Sequence, residues 1–118
     1  MTVTVTTNDP DGAGACVAAT ATYTLTVDAD PGTADNTTST ATICEASTKT
    51  LSGTPATGTW SIIAGGGSIS GSTYTPANIS TATTVTVRYS LAANGACAAT
   101  SEDVSFTVTP TPDAPTAS

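Results

Sequence analysis

GACVAATATYTLTV, at residues 14–27, returns as GACAATSEDVSFTV at residues 95–108. When the two stretches are aligned without a gap, Cys16 falls on Cys97, an offset of 97 − 16 = 81 residues. Self-similarity at a fixed period is typical of chains built from repeated structural units. The sequence therefore predicts a modular protein rather than one continuous domain.

The repeat also sets the expected boundaries. We interpret residues 1–30 as the closing β-hairpin of a preceding repeat, residues 31–110 as one complete module, and residues 111–118 as a linker. Pro31 and Pro112 recur at the two seams, where proline stiffens a linker and stops the last strand from continuing. The chain is thus expected to be a segment of a tandem array.

Alternation of apolar and polar residues predicts strands with one dry face. Threonine makes up about a quarter of the chain, and it favours half-exposed strands over helices. Asn94–Gly95 is a strong signal for a tight hairpin, and shorter strands are expected around residues 41–46, 59–63 and 72–75. The apolar positions of the four alternating stretches are Val3 and Val5; Tyr23, Leu25 and Val27; Val85, Val87 and Tyr89; and Val104, Phe106 and Val108. The expected fold class is all-β.

Charge narrows the range of partners. Nine acidic residues against two basic ones give a net charge of −7, which repels nucleic-acid phosphates and anionic membrane surfaces. No apolar run is long enough to cross a bilayer, and the first residues lack the pattern of a signal peptide. Neither nucleic acid nor membrane insertion is expected.

The cysteines and the tryptophan suggest a bridged core. Cys44 opens the complete module and Cys97 closes it, with Trp60 between them. This order is that of sandwiches in which an indole packs against a disulfide between two sheets. We therefore predict a structural disulfide between Cys44 and Cys97, Trp60 as the core indole, and a partner for Cys16 in the preceding repeat. Three unrelated thiols remain an alternative, whereas zinc is disfavoured because histidine and a C-x-x-C motif are absent.

The order of short motifs is similar to that of a known family. ICEAS, LSGT, TW, GGGSIS, YTP, VTV and GAC follow one another from residue 43 to residue 97. This order resembles the immunoglobulin-like repeats of very large bacterial surface adhesins and secreted filament proteins, including those of gliding bacteria. The resemblance implies an immunoglobulin-like antiparallel β-sandwich, bridged by Cys44 and Cys97 around Trp60. Gly95 stands where antibody-type domains carry a tyrosine two residues before the second cysteine.

Catalysis is not expected. Without histidine, acid–base chemistry would depend on carboxylates such as Glu45, Glu102 and Asp103. Glu102 and Asp103 are adjacent, so on a strand they point to opposite faces and cannot form a facing pair. Solvated surface charge is the simpler interpretation.

Calcium is an alternative at the seam between repeats. Asp28, Asp30 and Asp35 offer hard oxygen ligands that could stiffen a junction, and Asn8, Asp9 and Asp11 add more in the loop at 8–12. The matching seam near residue 113 keeps a single aspartate, so the pattern does not recur. Plain solvated acid, which keeps a long exported polymer soluble, is the competing interpretation. N-glycosylation at Asn36 or Asn78 stays open, because such three-residue patterns are common.

Together these features favour a non-catalytic structural or adhesive module. It would act as a rigid bead in a tandem array of an extracellular bacterial surface protein or filament, with neighbouring copies as partners and no cofactor. The alternative is a calcium-stiffened or carbohydrate-binding adhesin module, in which a loop such as AGGGSISG at 64–71 would hold a host or surface glycan. The scarcity of aromatic residues disfavours a sugar site.

Overall fold

A computed structural model describes residues 1–6 and 19–113 of the chain. These residues form strands and turns and contain no helix, so the predicted all-β class is confirmed. No described helix could span a membrane. The eleven strands, in chain order, are β1 (Thr2–Thr6), β2 (Thr20–Thr24), β3 (Asp35–Asn36), β4 (Ile43–Cys44), β5 (Lys49–Thr50), β6 (Gly53–Thr54), β7 (Thr59–Ala64), β8 (Ser68–Ser70), β9 (Thr73–Thr75), β10 (Thr83–Leu91) and β11 (Thr100–Thr109).

The largest sheet has the order β4-β11-β10-β7. Its centre is the antiparallel pair β10–β11, in register from Thr83↔Val108 to Leu91↔Thr100, so the predicted antiparallel neighbours are confirmed. β7 pairs antiparallel to β10, whereas the short β4 runs parallel to the end of β11. The alternating valines and threonines of β10 fit this central place, because every second side chain of the strand is buried.

A second sheet, β5-β9-β8, lies across the core from the first. Leu51 and Tyr74 come from its side, and the central hairpin contributes four buried side chains, Val85, Val87, Phe106 and Val108. The rings of Tyr74 and Phe106 meet edge to face, with centroids 5.4 Å apart. Burying each such side chain stabilises the fold by roughly 1.5–3 kcal/mol relative to exposure. These side chains hold the two sheets together.

Tyr89 lies in a narrow slot at one end of the module. Its ring contacts half-buried Trp60 at a tilt of 44°, with centroids 4.5 Å apart, and Trp60 packs against both core clusters. A Cβ on Gly53 or Gly58 would come within 2.7 or 2.2 Å of the Tyr89 ring, so these two positions exclude any side chain. The Tyr89 hydroxyl donates to the Pro55 carbonyl and accepts from the Gly58 amide. The tyrosine thus fastens the loop after β6 to the main sheet.

Buried Asn36 is a polar clip between β3 and the main sheet. Its side-chain amide donates to the Val87 carbonyl at 3.1 Å and to the Glu102 carbonyl at 3.3 Å. Its oxygen accepts from the Thr38 amide. A buried amide needs such partners, since leaving one unpaired costs about 1–3 kcal/mol. Of the two asparagines in N-glycosylation patterns, Asn36 therefore has its side-chain nitrogen enclosed in the folded module, whereas Asn78 is exposed.

The turn between β10 and β11 differs by one position from the expected Asn-Gly turn. Asn94 and Cys97 form the closing bridge, so Gly95 and Ala96 are the central residues. Gly95 has φ = 56° and no other residue type has positive φ among the described residues. Glycine at the first central position is typical of a type II′ turn. Asn94 instead uses its side chain, which donates to the Ala29 carbonyl.

The predicted bridge between Cys44 and Cys97 is wrong. Both are free thiols, and they lie at opposite ends of β11: Cys44 is paired with Thr109, while Cys97 precedes Thr100. The ten residues of β11 extend about 30 Å, whereas a disulfide requires Cα atoms within about 7 Å. A disulfide between two sheets needs cysteines in the middle of facing strands, whereas Cys44 and Cys97 lie near opposite ends of the same strand. Cys16 lies outside the described residues.

Residues 1–6 and 20–24 form a separate two-stranded hairpin. In the β10–β11 pair, Thr86 lies opposite Ser105. Subtracting the repeat offsets of 82 and 81 gives Thr4 opposite Thr24 (86 − 82 and 105 − 81) as the equivalent pair. The hairpin instead pairs Thr2 with Thr24. A shift of two residues keeps each side chain on its face, and register is weakly specified where neither face is covered. Its predicted apolar face is exposed, with Tyr23 at 62%.

Lys49 is the one buried cation of the described module. It is 7% exposed, its Nζ donates to the Ala41 carbonyl at 2.7 Å, and the charge lies 4.7 Å from the centre of the Phe106 ring. Burial lowers the pKa of Lys49 from 10.5, because desolvation disfavours the ammonium form. The folded module therefore releases this proton at a lower pH than the unfolded chain.

We expect the stability of the protein to rise with pH in the window below 10.5, where the unfolded chain holds the Lys49 proton and the folded chain has released it. Lys49→Met keeps the packing on Phe106 and removes the titration, so its free energy of unfolding should lack this rise. Urea unfolding between about pH 8 and pH 10 measures the slope. Tyr74→Phe is the control. Burial raises the Tyr74 pKa from 10.0, so ionisation of this tyrosine lowers stability as the pH rises, and its removal should leave the Lys49 rise in place. Identical slopes for Lys49→Met and the parent would contradict this account.

Candidate functional site

The linker at residues 28–32 meets the tip of the β10–β11 hairpin. We call this contact the junction. The Ala96 amide donates to the Asp28 carboxylate at 2.9 Å, and the Asn94 side chain donates to the Ala29 carbonyl at 2.8 Å. The Cys97 thiol donates to the Asp28 carbonyl at 3.9 Å. Three groups of one turn therefore hold a segment nearly seventy residues away in sequence.

Gly95 makes the close approach of Asp28 feasible. A Cβ built on Gly95 would lie 1.9 Å from an oxygen of the Asp28 carboxylate, a distance that no side chain could occupy. Glycine also tolerates the positive φ of this turn without steric cost. The turn thus satisfies two requirements with one residue: its own backbone conformation and room for the linker.

The linker is also fixed beyond the turn. The Thr100 hydroxyl donates to the Gly32 carbonyl at 3.1 Å and accepts from the Ala34 amide at 2.9 Å. The Glu102 carboxylate accepts from the Asn36 amide at 2.6 Å. From Asp28 to Asn36 the chain is therefore bonded repeatedly to the first residues of β11. Such a segment holds a defined direction where it enters the module.

The three calcium candidates are not brought together. Asp28 accepts from the hairpin tip, Asp30 accepts from the Gly32 amide at 2.9 Å in an Asx turn, and Asp35 is exposed on β3. Within residues 1–6 and 19–113, no three acidic, cysteine or histidine side chains are placed to share a metal ion. Asn8, Asp9 and Asp11 lie outside the described residues. Asp28 and Asp30 are instead hydrogen-bond acceptors that shape the linker.

The other carboxylates considered for chemistry have structural partners. Glu45 accepts from the Thr111 amide at 3.1 Å, as Glu102 does from Asn36. Asp103 forms a bidentate pair with Arg88 at 2.7 and 2.8 Å. The hydrogen bonds to Arg88, aided by its charge, lower the pKa of Asp103. Each of the three carboxylates named from the sequence thus fixes a strand or a linker.

The opposite end of the module repeats the pattern of a fastened linker. The Thr109 carbonyl accepts from the Glu45 amide at 2.8 Å, and the Thr109 hydroxyl donates to the Ile43 carbonyl. Exposed Cys44 is the ladder partner of Thr109. A shallow cavity of about 430 Å³ lies beside it, lined by residues 78–80 and 110–113 without any aromatic side chain. The chain therefore leaves the module along β4.

The junction could not have been found from sequence spacing. Asp28 and Gly95 were each noted for another reason, one as a metal ligand and one as a turn residue. Their contact depends on how the hairpin tip folds over the linker, which no local pattern reports.

Compared with protein-family models, curated proteins and solved structures, the chain has no significant match.

We expect Gly95→Ala to destabilise the protein more than Gly71→Ala. Both glycines have positive φ, 56° and 60°, but a Cβ on Gly71 meets no atom within 4 Å. Gly71→Ala should lose about 1 kcal/mol through backbone strain, and Gly95→Ala should lose about 2–3 kcal/mol because the linker must also leave its place. Urea unfolding measures both.

The excess loss should shrink in an Asp28→Ala background, since the clashing carboxylate is then absent. Equal losses for the two glycine variants, or an excess that persists without Asp28, would show that the junction does not stabilise the module.

Proposed function

We propose that this protein is a non-catalytic structural or adhesive module of an extracellular bacterial surface protein or filament, one rigid bead in a tandem array. The observation that carries the proposal is the junction. A repeat of 81 residues would place an equivalent linker at each seam, with Thr109 at the position of Asp28 in the second. The described linker is bonded to the module that follows it. Beads joined in this way keep a set orientation.

The strand order supports the immunoglobulin-like form of this proposal. In immunoglobulin domains the strands C, F and G make one sheet and A, B, E and D the other. β7, β10 and β11 follow the order C-F-G, and β5, β9 and β8 follow B-E-D. β4 would be the first strand, moved from the second sheet to the G strand. The core between the sheets needs no disulfide in this form.

The shape and the chemistry of the surface agree with a spacer. The Cα positions extend 112 × 17 × 17 Å, a length that includes the hairpin, since β1 and β2 pair with each other and not with the strands of the module. Net charge −7 keeps such a chain soluble. The carboxylates of Asp28 and Glu102 accept hydrogen bonds from backbone amides, which supports a structural role for them.

The hairpin formed by β1 and β2 supports neighbouring copies as partners. Its apolar face is exposed, with Val5 at 51% and Tyr23 at 62%. The equivalent face of β10–β11 is covered by Leu51 and Tyr74 in the module. An uncovered apolar hairpin recruits another surface, and in an array the second sheet of its own bead would supply it.

We expect a chain in which residues 1–108 are followed by residues 28–118 to be a longer rod than the parent. Val108 takes the place of Val27 in this join, so the linker and its junction are retained. The maximum dimension from small-angle X-ray scattering should increase by about 30–40 Å, close to the length of β11. An unchanged maximum dimension, or a second copy without its own unfolding transition, would contradict the array.

We also expect the parent chain to self-associate through the hairpin. Val5→Thr combined with Tyr23→Thr should reduce the weight-average mass in light scattering, because it removes apolar area from the exposed face. Thr4→Ser with Thr22→Ser, a pair on the opposite face, is the matched control and should associate like the parent. A parent that is monomeric at every concentration would contradict this role of the hairpin.

A further inference from the structure

Cys44 and Cys97 are free, yet each lies at a seam of the module. Cys44 is exposed at the end where the chain leaves, and Cys97 is half-exposed at the end where the chain enters. Between two consecutive modules, these ends would face each other. The position of the two thiols relative to the linker decides whether they could meet.

Both thiols are next to the same position of the linker. Cys97 contacts the carbonyl oxygen of Asp28 at 3.9 Å. The offset of 81 makes Asp28 the equivalent of Thr109 (28 + 81 = 109). Thr109 is the ladder partner of Cys44, and its carbonyl oxygen accepts from the amide of the next residue, Glu45, at 2.8 Å.

The shared oxygen would bring both cysteines to the same peptide unit of the linker. The Thr109 carbonyl points toward β4, since it bonds the Glu45 amide. The next module's Cys97 would approach that same oxygen from its own hairpin tip. Paired strands lie about 4.8 Å apart, so both cysteines would lie within one strand spacing of a single peptide unit. Disulfide formation requires Cα atoms about 4.4–6.8 Å apart.

The contacts that bring Cys97 to the linker mostly use the main chain. The thiol contacts the Asp28 carbonyl and the Asn94 side chain contacts the Ala29 carbonyl. Thr109 and Pro110 provide the same two carbonyls at the other seam. Of these three contacts, the bond from the Ala96 amide to the Asp28 carboxylate is the one that depends on a side chain of the linker. The approach of the tip is therefore transferable from one seam to the next.

We propose that Cys44 of one module forms a disulfide with the Cys97-equivalent of the module that follows it, so that each seam of the array is covalently closed. This inference rests on the proposed function, which supplies both the consecutive copies and an oxidising compartment. It also accounts for an odd number of cysteines: Cys16, the equivalent of Cys97, would pair with a Cys44-type residue of an earlier module. No cysteine is then left over.

The chemistry is an exchange with a disulfide-bonded oxidant such as oxidised glutathione. One protein thiolate attacks the oxidant and releases one glutathione thiol, and the second protein thiolate then displaces the other from the mixed disulfide. Two protein thiols lose two protons and two electrons, and one glutathione disulfide becomes two thiols. Exposure of Cys44 gives the oxidant access to the seam.

The test uses the chain of residues 1–108 followed by residues 28–118, with Cys16→Ser. After incubation with oxidised glutathione, non-reducing peptide mapping should link Cys44 of the first copy to Cys97 of the second. Alkylation of those two thiols should fall nearly to zero. Cys44→Ser in the first copy should abolish the bridge, and Cys44→Ser in the second copy should leave it unchanged as the matched control.

The outcomes separate this inference from the proposed function. A bridge between Cys44 and Cys97 within one copy, or four thiols that stay fully alkylated in a chain that scatters as a two-bead rod, would overturn the covalent seam and leave the array intact. A chain that does not lengthen in X-ray scattering would overturn the array and the seam with it.

Discussion

The long antiparallel pairing of β10 with β11 is the constraint on which the rest of the structure depends. It supplies four of the six side chains of the main core cluster, and both neighbouring strands of its sheet, β4 and β7, pair onto it. Its register also decides what lies at the two ends of the module. The hairpin tip meets the incoming linker, and the end of β11 carries the outgoing one. The same strand pair that builds the core therefore fixes where the chain enters and leaves it.

Around this pair the module is held by a small number of specific contacts rather than by a large core. The main core cluster has six buried side chains, and the smaller cluster contains Tyr89 with Ala34 and Leu91. Buried Asn36 donates to the Val87 carbonyl of β10, and buried Lys49 donates to the Ala41 carbonyl just before β4. A polar group with its partners in place is tolerated in the interior, whereas the same group without them is costly. This dependence suits a chain whose surface is mostly threonine, serine and glycine.

The sequence predicted the parts of the fold that periodicity reports. The alternation at 85–89 and 104–108 identified the central hairpin and its buried faces, because a half-buried strand leaves a period of two. The two-residue strands β3, β5 and β6 leave no such trace. The Cys44–Cys97 bridge was wrong because cysteine order was compared with domains whose cysteines lie in mid-strand. Whether a cysteine lies in mid-strand or near a strand end depends on strand length and pairing. The spacing of cysteines in the sequence reports neither. Spacing likewise does not report that Asp28 accepts from the Ala96 amide and Asp30 from the Gly32 amide.

The arrangement of the linkers has a mechanical consequence for an array of such beads. The incoming segment from Asp28 to Asn36 is bonded to the start of β11, and the outgoing chain leaves from its end at Thr109. A pull on the two linkers is therefore directed along the axis of β11. A pull in this direction loads the contacts between the incoming segment and the start of β11 first, because those contacts lie between the pulled linker and the strand. The main chain already joins one bead of such an array to the next, so loss of these contacts would free the linker without separating the beads. In the proposed array, a disulfide at the seam would keep the linker fastened under such a load.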